Sequence, residues 1–201
     1  MGLFLGYDSR DLWSNPTSGW WNEVEILKVG GLVGDSDFWR LTFDIGHFIP
    51  IANHHTLAVF SLLTVTSGTI GEDVAVWQQY GLGGTNSIRG WELGSRTGKN
   101  QFINTIEYRY NILKPQVVEL FGLTLDVGIQ LSAFTDFGHA WNDPNDFKWD
   151  NFIKGYGIGV RLLVPFVDIA RFDVGWGQPG MGIRLHLGSF EKSYRQRKRV
   201  R

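Results

Sequence analysis

From Phe38 to Ile51 large apolar side chains recur at every second position, Trp39, Leu41, Phe43 and Ile45, with Arg40, Thr42, Asp44 and Gly46 between them. A period of two is the pattern of a β-strand whose faces meet different surroundings. The alternation returns in Leu123, Leu125, Val127, Ile129, Leu131 and Ala133 against Thr124, Asp126, Gly128, Gln130 and Ser132. It returns again in Tyr156, Ile158, Val160 and Leu162 against Gly155, Gly157, Gly159 and Arg161, and in Ala170, Phe172, Val174 and Trp176 against Arg171, Asp173 and Gly175. No helical spacing competes. Nine strands are predicted, over about 3–10, 20–33, 38–49, 55–67, 101–113, 122–138, 152–164, 168–177 and 181–190.

Their lengths and faces narrow the architecture. Most run nine to seventeen residues, whereas strands of soluble proteins have a mode of about 5–6 and a tilted strand crossing a bilayer needs about 9–11. The polar face of a soluble sheet is normally rich in charged and hydroxyl side chains. Here the second face is rich in glycine with sparse charges of both signs, which suits the lumen of a membrane barrel. Aromatic residues gather near strand ends (Trp20, Trp21, Phe38, Trp39, Tyr108, Tyr110, Trp141, Trp176), as interfacial girdles do. The expectation is an all-β, antiparallel transmembrane β-barrel, with a soluble β-sandwich as the competing architecture.

The links expected at 50–54, 165–167 and 114–121 are short, and those at 68–100 and 139–151 are longer and polar. Outer-membrane barrels alternate short periplasmic turns with long outer loops, and their strand numbers are even in bacterial single chains. Links 34–37 and 11–19 depart from the size rule, and an odd count of nine suggests an incomplete barrel.

Composition excludes several alternatives. The 201 residues contain no cysteine, which removes disulfides, thiolate metal sites and a cysteine nucleophile. No window approaches the roughly 20 apolar residues of a membrane helix. The start, MGLFLGYDSRD, lacks the basic and apolar regions of a secretory signal, so a signal for export would have to lie outside this sequence. Six of the 19 Lys and Arg lie in the last ten residues, leaving 13 basic against 20 acidic residues in the remainder. A barrel domain over 1–190 and a basic, disordered tail over 191–201 are expected. Such a tail is also the kind of segment that binds nucleic acid or anionic lipid, although no nucleic-acid partner is expected. His54 and His55 adjoin and point apart if extended, and Asp143, Asn145, Asp146 and Asp150 lack the glycine and terminal glutamate of a calcium loop. With no serine-hydrolase elbow and no P-loop either, neither metal, cofactor nor catalytic residues are expected.

The longest connection, 68–100, is glycine-rich around Ile88-Arg89-Gly90-Trp91. Its segment GGTNSIRGW resembles the GGxxxVRGF/Y/W loop of the BamA-like outer-membrane assembly and transport superfamily, the bacterial surface antigen barrels. Three more stretches match in order: YDSRDLWSNPTSGW is similar to the family's D-x-R-D…F-P-T-x-G turn, FTDFG at 134–138 to its F-x-D-x-G strand motif, and GYGIGVRLLVPFVDIARFDVGWGQP to its penultimate strand pair. The ending RLHLGSF, with Leu185, Leu187, Gly188 and Phe190, resembles the terminal insertion signal. Two features depart from the pattern: eleven residues follow Phe190, and the link PFVD lacks the usual glycine.

The resemblance implies a sixteen-stranded family barrel of which this sequence covers the C-terminal nine strands, without POTRA repeats. It implies that Arg89 folds into the lumen and pairs with Asp136 and Glu107, with Gly83, Gly84 and Gly90 allowing the loop to turn tightly and Trp91 completing the motif. Strand parity independently puts both carboxylates inward, because Asp136 alternates in phase with Gln130, and Glu107 with Thr105 and Arg109. The competing reading is that these charges merely line a wet lumen. The implied role is insertion of outer-membrane proteins without enzymatic chemistry. The implied partners are the lipid bilayer, unfolded outer-membrane protein substrates, and other assembly-machine subunits or a second barrel segment. A polypeptide secretion pore of the same superfamily and the barrel anchor of a fused patatin-like lipase are the alternatives.

Overall fold

The computed structural model describes residues 1–12, 15–31, 36–120, 123–164, 168–179 and 184–189. Eleven strands occupy them: β1 (Gly2–Asp8), β2 (Gly19–Val29), β3 (Phe38–Ala52), β4 (His55–Thr66), β5 (Tyr80–Leu82), β6 (Arg96–Gly98), β7 (Asn100–Leu120), β8 (Leu123–Trp141), β9 (Ile153–Val164), β10 (Asp168–Trp176) and β11 (Arg184–Ser189). Nine form one sheet in the order β1-β2-β3-β4-β7-β8-β9-β10-β11, every neighbour antiparallel. The remaining two, β5 and β6, make a small ribbon inside the long connection between β4 and β7. The only helices among the described residues are three single turns, at Val76–Gln78, Pro144–Asp146 and Trp149–Asn151. Among the described residues no helix is long and apolar enough to cross a membrane.

Two links are tighter than the sequence suggests. β3 continues to Ala52, which pairs with His55, so only Asn53 and His54 make the turn, with His54 at φ 71°. Its imidazole Nδ1 lies 2.9 Å from the Asn111 carbonyl, whereas His55 Nδ1 lies 2.5 Å from the Tyr108 hydroxyl. The expected link at 114–121 is largely strand, because β7 and β8 stay paired out to Leu120 and Leu123. Proline lacks an N–H for the ladder and is tolerated in bulges, and the register shifts between Asn111 and Leu113 and between Leu113 and Gln116 take up Ile112, Lys114 and Pro115.

The faces of the sheet invert the usual arrangement of a soluble protein. On β8 the apolar Ile129 and Leu131 are 37% and 41% exposed, while Gln130 is 1% exposed and Asp136 is fully buried. On β9 Ile158 is 58% exposed and Arg161 is fully buried. Charged side chains are almost never fully buried unless paired, so the inner face must hold their partners. The chain returns to that face twice. In the link from β1 to β2, Asn15 is buried and the Pro16 carbonyl accepts from Arg109 Nη1 of β7 at 3.4 Å, while the exposed Asp11 braces the turn, accepting hydrogen bonds from the Thr17 hydroxyl (2.5 Å) and from the backbone N–H groups of Leu12, Thr17 and Ser18. Partial burial opposes charge on Asp11, but these bonds prevail and hold its carboxyl below the ordinary range.

The long connection makes the second return. Its Leu82 and Ile88 bury themselves against Leu62 of β4, Ile103 of β7, Ala140 of β8 and Ile153 of β9, with Trp91 packed alongside. Burying a side chain of this size contributes about 1.5–3 kcal/mol, so the loop carries its own apolar anchor. A second apolar cluster, Phe48, Ala58 and Phe60, fills the inner face of β3 and β4.

Candidate functional site

The loop turns back on itself between Gly83 and Trp91. Gly83, Gly84 and Gly90 all have positive φ, at 117°, 82° and 87°. A Cβ on Gly83 would lie 1.7 Å from the Glu92 carbonyl oxygen, so only glycine fits. Ser87 braces the turn, its hydroxyl accepting from the Gly83 N–H and donating to the Gly83 carbonyl, each at 2.8 Å. The Gly84 N–H donates to the Trp91 carbonyl at 2.8 Å and closes the neck.

Arg89 stands at the tip, and the groups around its guanidinium come from three strands, β7, β8 and β10. Its Nε donates to Asp136 Oδ2 at 2.7 Å and its Nη2 to Asp136 Oδ1 at 2.9 Å, the two-point fork that a guanidinium forms with a carboxylate. Its own backbone N–H adds a third bond to Asp136 Oδ2 at 3.0 Å. Nη1 donates to Asp173 Oδ2 on β10 at 2.9 Å and to Glu107 Oε2 on β7 at 3.3 Å. The guanidinium carbon sits 3.3 Å from the centroid of the Phe134 ring, and Thr105 Oγ1 donates to Asp136 Oδ1 at 2.8 Å. The structure thus brings Arg89, Asp136 and Glu107 together, with Glu107 the most distant of its three carboxylates.

Glu107 is held chiefly by wall residues. Arg109 Nε donates to Oε1 at 2.7 Å and Arg161 Nη2 to Oε2 at 2.5 Å. Arg171 Nε lies 3.1 Å from Asp173 Oδ2, and its Nη2 donates to the loop carbonyl of Thr85 at 3.0 Å. Asp173, Arg109, Arg161 and Arg171 join the site only because register puts Glu107 opposite Phe134, Arg109 opposite Ser132, Arg161 opposite Arg171, and Asp173 opposite Gly159. The sequence marked the parity of these positions but not their levels.

The glycines of β9 make the cradle. A Cβ on Gly155 would lie 1.8 Å from the Arg89 carbonyl oxygen, so the loop backbone occupies the space that a side chain would fill. Gly90 presses on the Trp176 backbone, where an added Cβ would approach to 2.5 Å, and its carbonyl accepts from the Gln178 N–H at 3.2 Å. Trp91 Nε1 donates to the Lys154 carbonyl at 2.7 Å. Arg89, Gly90 and Trp91 are therefore docked residue by residue along the β9–β10 pair.

A fully buried charge lattice under a docked loop, on the inner face of a nine-stranded antiparallel sheet, is a specific arrangement. The family model of the Omp85 superfamily domain matches residues 2–189. The chain belongs to the Omp85 superfamily. It is 28% identical over 208 positions to the outer membrane protein assembly factor BamA of Nitratidesulfovibrio vulgaris, an alignment that takes in 94% of this chain and 24% of that protein. The crystal structure of BamA from Haemophilus ducreyi lacking POTRA domains 1–3 superimposes with a TM-score of 0.72 at 16% identity, over 92% of this chain and 40% of that one. The nine strands are thus those of an Omp85 barrel, and the chain spans about a quarter of the curated relative.

The strand that ends the sheet carries Leu185, Leu187 and Gly188, paired with Val174, Phe172 and Arg171 of β10. Phe190 and the basic tail lie outside the described residues. In the described residues no cluster of three or more His, Cys, Asp or Glu is placed to hold a metal ion. Asp143 accepts from the Asn145 N–H at 2.8 Å and caps a single helical turn.

Proposed function

We propose that this chain is the barrel portion of an outer-membrane protein that assists the insertion of other outer-membrane proteins, acting without covalent chemistry. The observation that carries this reading is the similarity of this chain, over 94% of its length, to an outer membrane protein assembly factor, together with the loop that Arg89 docks on the inner face of the sheet. Addition of a strand to a sheet edge is a general mode of polypeptide recognition, and β11, paired with β10, is the strand at which this reading has the substrate captured. The exposed Ile129, Leu131, Ile158 and Phe172 suit contact with hydrocarbon, and the substrate class is unfolded outer-membrane protein.

The test places a photoreactive amino acid at position 185 or 187 of the protein in lipid vesicles and supplies an unfolded porin. Crosslinking to a terminal strand of the porin is expected. A folded, membrane-inserted protein that gives no crosslink at either position contradicts the reading. A polypeptide secretion pore is the second reading, favoured by the loop docked on the inner face of the sheet. It predicts that loosening the loop raises single-channel conductance and leaves porin insertion unchanged.

A further inference from the structure

The charges around Arg89 divide into two sets. Those fixed to strands are Glu107, Asp136 and Asp173 against Arg109, Arg161 and Arg171, three of each, all at most 3% exposed. Among these described side chains the wall alone is neutral, and Arg89, the loop's contribution, makes the cluster positive by one. The surplus is visible as unused donors. Arg161 is fully buried, yet its Nε and Nη1 have no hydrogen-bond partner, and Asp173 Oδ1 is also without one.

Withdrawal of a buried ion-pair partner is normally expensive because a charge is left stranded. Two of the three carboxylates escape that fate here. Glu107 keeps Arg109 and Arg161, and Asp173 keeps Arg171. Only Asp136 loses its guanidinium, retaining the Thr105 hydroxyl. The groups that read the guanidinium are also independent of the loop: the Asp136 carboxylate that takes the fork, the Asp173 oxygen and the Phe134 ring face all belong to paired strands.

We propose that the wall is a receptor for one guanidinium, filled by Arg89 while the loop is docked, and that it exchanges Arg89 for an arginine side chain of a polypeptide in the lumen. Arg161 is the positioning residue that makes the exchange feasible, since it keeps the vacant wall neutral. The identity of the ligand rests on the reading of the protein as a barrel that handles polypeptides. The existence of the receptor does not. A planar fork over an aromatic face favours guanidinium over an ammonium of equal charge.

The chain has no native cysteine, so Ser87→Cys gives a single label in the docked loop, read as the rate of maleimide modification of the folded protein in vesicles. Adding Arg161→Gln makes the docked cluster neutral and the vacant wall negative by one. The proposal expects labelling to slow by about tenfold, within the usual range of coupling between sites. If Arg161 merely props the wall, the same change loosens the loop and labelling accelerates; acceleration or no change overturns the proposal. A second arm uses Arg89→Ala. Ethylguanidinium should raise the temperature at which this variant loses its folded electrophoretic mobility, with no rise for ethylammonium at equal ionic strength and none for the wild type. Equal effects of the two cations on the variant overturn the receptor. Should Arg89→Ala fail to fold, the Arg161→Gln arm decides alone, and neither arm depends on the outcome of porin crosslinking.

Discussion

Replacing Asp136 by alanine removes the anchor that fixes Arg89. The change deletes three hydrogen bonds from Arg89, two of them charge-assisted through the side chain, and the one from Thr105. Glu107 and Asp173 still face the guanidinium, so the loss is that of one partner of a buried pair, about 3–5 kcal/mol. At about 1.4 kcal/mol per tenfold, the undocked population of the loop rises by a factor of about 100 to a few thousand. Trypsin reads this directly, because Arg89–Gly90 is a tryptic bond that is buried while the loop is docked. Cleavage of a transiently opened segment tracks its open population when reclosing outpaces the protease. Arg96, exposed on the same loop, serves as an internal control whose cleavage should stay constant. Mass spectrometry of the fragments should show the 89–90 cut rising by that factor while the 96–97 cut does not. Equal rates at 89–90 in variant and wild type would refute the claim that Asp136 holds the loop.

Gly155→Ala places a Cβ on the Arg89 carbonyl and should loosen the loop by the same assay, with β9 itself still formed by its exposure pattern in cysteine labelling. Leu82→Ala takes one apolar anchor from the loop and should cost about 2–5 kcal/mol of its docking, seen as faster cleavage at 89–90. Asp11 has its carboxyl lowered, so it supports the turn above the ordinary aspartate pKa of about 4 and that support is lost as pH falls through its lower folded value. The protection of the Thr17 and Ser18 amides, taken relative to their intrinsic exchange rates, should therefore fall only in that acid window, and Asp11→Asn should abolish that fall.

The fold was legible in the sequence wherever a strand has two chemically different faces. The Val127–Ala133 and Tyr156–Leu162 alternations gave the correct inner and outer sets, because a period of two leaves only two assignments. Pro115 misled the reading of β7, since a proline ordinarily ends a central strand and here occupies a bulge. The ribbon of β5 and β6, three residues each, carries too little pattern to be read. Arg89, Asp136 and Glu107 were singled out from the family motif and parity. Asp173, Arg161 and Arg171 were not, because parity gives the side of the sheet and only register gives the level. The glycines Gly155, Gly157 and Gly159 were the available signal: three inward positions without side chains mark the place where something else lies against the wall.

The account depends on the outward apolar face meeting hydrocarbon, and neighbouring positions on β8 test it most directly. Single cysteines at Leu131 and Gln130, each carrying a small fluorophore in vesicle-reconstituted protein, are compared for quenching by brominated acyl chains and by aqueous iodide. Strong bromolipid quenching at 131 and none at 130 is the predicted result. Bromolipid quenching at 130, or iodide quenching alone at 131, would contradict the assigned faces and the membrane barrel with them.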